Sequence, residues 1–69
     1  MKSVFLMRGY EMNCTPPATD DGRFVAQVEV TKVGFSSEAA FRALGEFDTE
    51  AEAIEYAKRF SAEWLSRYG

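Results

Sequence analysis

The sequence predicts an α+β fold: a three-stranded antiparallel sheet packed on one C-terminal amphipathic helix, in the order β-β-β-α. Three observations carry this reading. Residues 23–33 alternate apolar and polar side chains, as a strand with one wet face does. Residues 49–68 place apolar side chains at three- and four-residue steps behind a threonine cap, as a helix with one buried face does. Between residues 15 and 22, two prolines and an Asp-Asp-Gly run separate two apolar segments, as a hairpin loop does.

The elements follow in order. From Ser3 to Cys14, Tyr10, Met12 and Cys14 alternate with Glu11 and Asn13, which is strand periodicity. Carried back, that alternation would turn Arg8 inward, so Gly9 is expected to mark a bulge that resets the register and returns Phe5 and Met7 to the inner face. Thr15 to Gly22 reads as a mobile hairpin loop. In the second strand, Phe24, Ala26, Val28 and Val30 share one parity, while Arg23, Gln27, Glu29 and Thr31 share the other. Such a strand belongs to an antiparallel sheet covered on one side only.

Gly34 to Ser37 reads as a loop, and residues 36–44 admit two readings. Their propensity is helical, with a serine cap, Glu38 and alanines, yet Phe41, Ala43 and Phe47 also fit one strand face. The last element is the clearest. Thr49 and Glu52 fit a capping box. Behind them Ala53, Ile54, Ala57, Phe60, Trp64, Leu65 and Tyr68 form an apolar arc with Ser61 as its one polar intrusion. Opposite that arc, Glu55 with Arg59 and Glu63 with Arg67 make i,i+4 pairs in the favoured order, and Gly69 falls where the helix should stop.

Composition bounds the function. The 69 residues make a single small domain, 1–69, with modest core area. A lone Cys14 closes no intrachain disulfide, and the absence of histidine removes the usual zinc ligand and the commonest general base, so Cys14 is expected to be a small buried residue. Asp20 and Asp21 beside Gly22 lack the other ligands of a calcium loop, and no phosphate-binding glycine motif occurs. We therefore expect no catalytic residues, no metal and no cofactor. The apolar run Val4 to Met7 is too short for a signal peptide or a membrane span, so a cytoplasmic protein without membrane contact is expected. The formal charge is −3, and it is uneven: residues 1–44 carry five basic and five acidic side chains, and the acidic excess lies in and before the helix, where the dipole favours it.

Two stretches carry a resemblance. Ala43-Leu-Gly-Glu-Phe-Asp-Thr-Glu-Ala-Glu-Ala-Ile-Glu-Tyr-Ala57 resembles the end of the AP2/ERF DNA-binding domain, where a Leu-Gly-x-Phe strand end runs into a threonine-capped helix, and Gly22-Arg-Phe-Val-Ala-Gln-Val28 resembles that family's central strand. Together they cover about half of the chain. The chain is also similar to small uncharacterised bacterial proteins of three strands and a helix, which carry the same capped helix and are the nearer likeness. The resemblance implies the fold, and it favours a strand for residues 36–44. In the AP2 family the exposed sheet face reads DNA through many arginines and a tryptophan. Here Arg8, Arg23 and Arg42 are interspersed with Glu11 and Glu29, and the tryptophan is in the helix.

The expected function is thus a protein-interaction module that uses the exposed sheet face or an open edge, with an unknown protein or a second copy as partner. A possible binding surface comprises Arg8, Arg23, Gln27, Lys32 and Arg42. The alternative is a nucleic-acid-binding domain that uses the sheet-face cations, against which the acidic balance weighs.

Overall fold

The computed structural model describes residues 2–34 and 37–68. It is α+β: strands β1 (Val4–Met7), β2 (Tyr10–Asn13), β3 (Phe24–Lys32) and β4 (Ser37–Phe47) form one antiparallel sheet in chain order, and helix α1 (Glu50–Tyr68) lies across one face. The expected loop at Phe35 and Ser36, the helix stop at Gly69 and the side chain of Tyr68 lie outside the described residues.

The three expected strands are four, because Gly9 does not mark a bulge. Arg8 and Gly9 both take left-handed backbone, with φ 50° and 81°, and Met7 pairs with Tyr10 across them. This is the two-residue primed turn whose twist matches that of paired strands, and it splits residues 4–13 into a hairpin. Both arrangements send Phe5 and Met7 inward, and both side chains pack against the core.

The β2–β3 connection is pinned by its own hydrogen bonds. The Thr19 amide donates to the Arg23 carbonyl (2.7 Å), the Arg23 amide donates to the Thr19 hydroxyl (3.0 Å), and the Val25 amide donates to the Pro17 carbonyl (3.0 Å). The Thr19 hydroxyl also contacts the Asp21 carboxylate and holds that acid below its ordinary range.

Within residues 37–44 the strand reading holds, but the strand is irregular. Ala26 pairs with Gly45 and Val28 with Phe41, so β4 spends two extra residues where β3 spends one, Gln27. Ala43 absorbs the excess at φ 55°, and its side chain is exposed. It therefore does not share the inner face with Phe41 and Phe47, as strict alternation required. A second irregularity falls between Val30 and Thr31.

Thr49 caps α1 as its sequence predicts, with one change of partner. Its hydroxyl accepts from the Glu52 amide (3.2 Å), while the Glu52 carboxylate accepts from that hydroxyl (3.0 Å) rather than from the threonine amide. Met12, Cys14, Ala26, Val28 and Val30 from the sheet meet Ala53, Ile54, Ala57 and Leu65 from the helix in the buried core. Phe41 packs edge-on to both Phe60 (4.9 Å) and Trp64 (6.2 Å), and Tyr10 meets Trp64 from the other side (6.2 Å). Phe60 and Trp64 of the helix therefore pack against the core, interleaved with the sheet aromatics Phe41 and Tyr10. Arg59 and Arg67 pair with Glu55 (3.7 Å) and Glu63 (3.3 Å) on the solvent face.

Candidate functional site: the outer face and edge of the sheet

The helix covers one face of the sheet and leaves the other open. Register and parity arrange that outer face in rows across the strands. Leu6, Glu11 and Thr31 form one row; Val4, Asn13, Glu29 and Ala40 form the next; Val25 and Glu46 lie beyond Gln27 toward the far end. The chemistry changes along these rows. At the β1 corner the face is apolar, with Leu6 72% and Val4 37% exposed. In its middle it carries the carboxylates Glu11 and Glu29, and at the far end Arg23 lies among Glu46 and Asp48.

Of the five residues marked from sequence, the structure brings two together. Gln27 and Arg42 line a cleft of about 300 Å³ with Asn13, Thr15 and Glu29, opened where β4 bulges away from β3. Thr15 fixes its rim: the Thr15 amide donates to the Asn13 side-chain oxygen (3.1 Å), the Thr15 carbonyl accepts from the Gln27 amide group (3.1 Å), and the Thr15 hydroxyl is hydrogen-bonded to Ser3 (2.8 Å). Arg42 is exposed there beside Glu29.

The other three lie elsewhere. Arg23 is engaged with acids, 3.7 Å from Glu46 and 3.2 Å from Asp48, and its Nη2 donates to the Glu46 carbonyl (3.3 Å). The Asp48 contact is off-line, so Arg23 Nε is buried without a hydrogen bond. Lys32 shares the parity of Val30 and pairs with the inward-facing Tyr10, so it leaves the sheet end on the helix side rather than on the outer face. Arg8 sits in the β1–β2 turn near that same end, where the Val33 amide donates to the Gly9 carbonyl (2.9 Å). With about 3.3 Å of rise per residue, Arg23 and Lys32 stand roughly 30 Å apart along β3. The five do not form a continuous positive stripe.

The apolar corner was not singled out from sequence. Its signal was present: once Arg8 and Gly9 make a turn, Val4 and Leu6 must point opposite to Phe5 and Met7. Cys14 is fully buried, and desolvation pushes its thiol up from 9.0 to about 11, with Lys58 acting weakly in the other direction. That is a structural thiol, not an activated one. Among the described residues no group of three or more acidic or cysteine side chains is placed to hold a metal ion, and no helix is long and apolar enough to cross a membrane. Comparison with protein-family models, with curated proteins and with solved structures found no match.

Proposed function

We propose that this is a non-catalytic protein-interaction module that works through the outer face and the β1 edge of its sheet. The observation that carries the reading is the exposure of Leu6 and Val4 together on an edge strand. A strand edge with unpaired backbone and an apolar flank is a ready template for another chain. Covering a side chain such as Leu6 contributes roughly 1.5–3 kcal/mol, enough to anchor a small interface. The mixed charge of the face supports the same reading over nucleic acid, since Glu11 and Glu29 occupy its centre, Arg42 lies there beside Glu29, and Arg8 and Arg23 lie toward opposite ends.

The test compares the wild type with Leu6→Asp, immobilised at equal density and exposed to lysate, alongside a titration with mixed-sequence DNA and RNA at low salt. A defined set of proteins retained by the wild type and lost with Leu6→Asp is the expected result. Identical retention by both proteins, or saturable nucleic-acid binding at micromolar protein, overturns the reading.

A further inference from the structure

We propose that the free edge of β1 takes an extended segment of another protein as a fifth strand, and that it selects the pattern apolar–acidic–apolar. The inference rests on the interaction reading above and specifies its partner.

The backbone phase comes first. In an antiparallel hairpin closed by a two-residue turn, the flanking pair exchanges both hydrogen bonds, and bonded and non-bonded pairs then alternate. Met7 and Tyr10 are that flanking pair, so Phe5 and Met12 are bonded, and the Cys14 amide donating to the Ser3 carbonyl (2.7 Å) continues the same phase. Val4 and Leu6 therefore turn their amides and carbonyls away from β2, toward the free edge. An incoming antiparallel strand hydrogen-bonds to those two residues, and its intervening residue faces Phe5 in a close, non-bonded pair.

Side-chain parity then sets what the strand must carry. Its residues beside Val4 and Leu6 lie on the outer face against exposed apolar groups, which favours apolar side chains there. Its residue beside Phe5 lies on the helix side, and that position is cationic. The Lys58 ammonium stands 4.6 Å from the centre of the Phe5 ring and the Lys2 ammonium 5.7 Å. Glu11, the one acid on β1 or β2, projects from the opposite face beside Leu6 and does not neutralise this position. A carboxylate in the intervening position meets two cations, whereas a lysine there is repelled by both.

A second copy of this chain fits poorly. Antiparallel pairing about Phe5 would set Lys2 against Arg8 of the other copy and bring two Lys58 groups together over facing phenylalanines. The other edge of the sheet, β4, is interrupted by its two irregularities and offers no such regular row of backbone groups.

The test uses three end-capped peptides, Ser-Thr-Val-Glu-Val-Thr-Ser and the same sequence with Gln or Lys in place of Glu. Fluorescence anisotropy gives affinity, and backbone amide exchange gives the site. The Glu peptide is expected to bind roughly tenfold tighter than the Lys peptide, with the Gln peptide between them, and to protect the Val4 and Leu6 amides. Lys58→Gln should flatten the preference and Lys58→Glu should invert it; both changes fall on an exposed helix position. Equal affinity for the Glu and Lys peptides, protection elsewhere than β1, or an unchanged preference in both variants overturns the proposal. If Leu6-dependent capture persists alongside any of these results, the interaction reading stands and only the partner's pattern is wrong. Loss of both removes the two together.

Discussion

Replacing Ser61 by alanine should stabilise this protein. Among the described residues Ser61 is the one polar side chain in the buried core, fully enclosed on the helix face that meets the sheet. Its hydroxyl donates to the Lys58 carbonyl one turn back, at 2.8 Å. Three contributions decide the sign. The lost hydrogen bond costs about 1 kcal/mol, yet that carbonyl keeps the helical amide donor of residue 62 and is not left unsatisfied. Relief of burying a hydroxyl returns about 1 kcal/mol or somewhat more. Alanine then gains roughly 0.5 kcal/mol in helix propensity, and it removes a back-bond of the kind that bends helices. The net expectation is about 0.5 kcal/mol in favour of Ser61→Ala, or a rise in Tm of about 2–4 °C for a domain of this size. Against a total of about 3–10 kcal/mol for a chain this short, that is a measurable share. Urea unfolding followed by circular dichroism, with an unchanged slope, is the assay. A loss of 1 kcal/mol or more would refute the reasoning, because it would mean that the hydroxyl contributes more than one bond to an already satisfied carbonyl.

Arg8→Asn should raise stability by about 0.5–1 kcal/mol, since φ 50° burdens an arginine and an Asn-Gly pair is the favoured primed turn; thermal denaturation reads it, and a lower Tm would argue against the left-handed turn. Cys14 gives a pH dependence whose sign follows from its raised thiol. The unfolded chain loses the proton near 9.0 and the folded chain near 11, so between these values the unfolded state binds fewer protons and stability falls as pH rises, by on the order of 2 kcal/mol across the window. Cys14→Ala, lower in stability at pH 7 for its lost packing, should lack this component of the alkaline decline; parallel urea series at pH 8 and pH 10.5 compare the two slopes, and identical declines would contradict it.

The sequence was most legible where local period and capping agree with burial. The alternation of residues 24–31 gave β3 its faces, and the three- and four-residue steps behind Thr49 gave α1 its buried arc, because each signal is repeated many times over a short span. The misreadings fall where one residue decides between two geometries. A glycine bulge and a glycine turn both restore the inward facing of Phe5 and Met7, and only the pairing of Met7 with Tyr10 separates them. Alternation puts Ala43 on one face with Phe41 and Phe47 because it cannot show two extra residues opposite Gln27, a feature fixed by the partner strand. The candidate site divides in the same way. Gln27 and Arg42 meet at that bulge. Arg23 is taken up by Glu46 and Asp48, more than twenty positions away in the chain, and Lys32 follows the parity of Val30 to the helix side.

The difference between the two borders of the sheet bears on how material builds up on this protein. Growth of a fibre or filament by strand addition needs two docking borders on every subunit, one to attach and one to be attached to. Here β1 is short, regular and flanked by cations, whereas β4 is kinked twice within its length. If β1 takes up a strand as proposed, a molecule of this shape would terminate a row instead of lengthening it. On the proposal of a fifth strand, it would sit at the end of another protein's sheet with a stoichiometry of one.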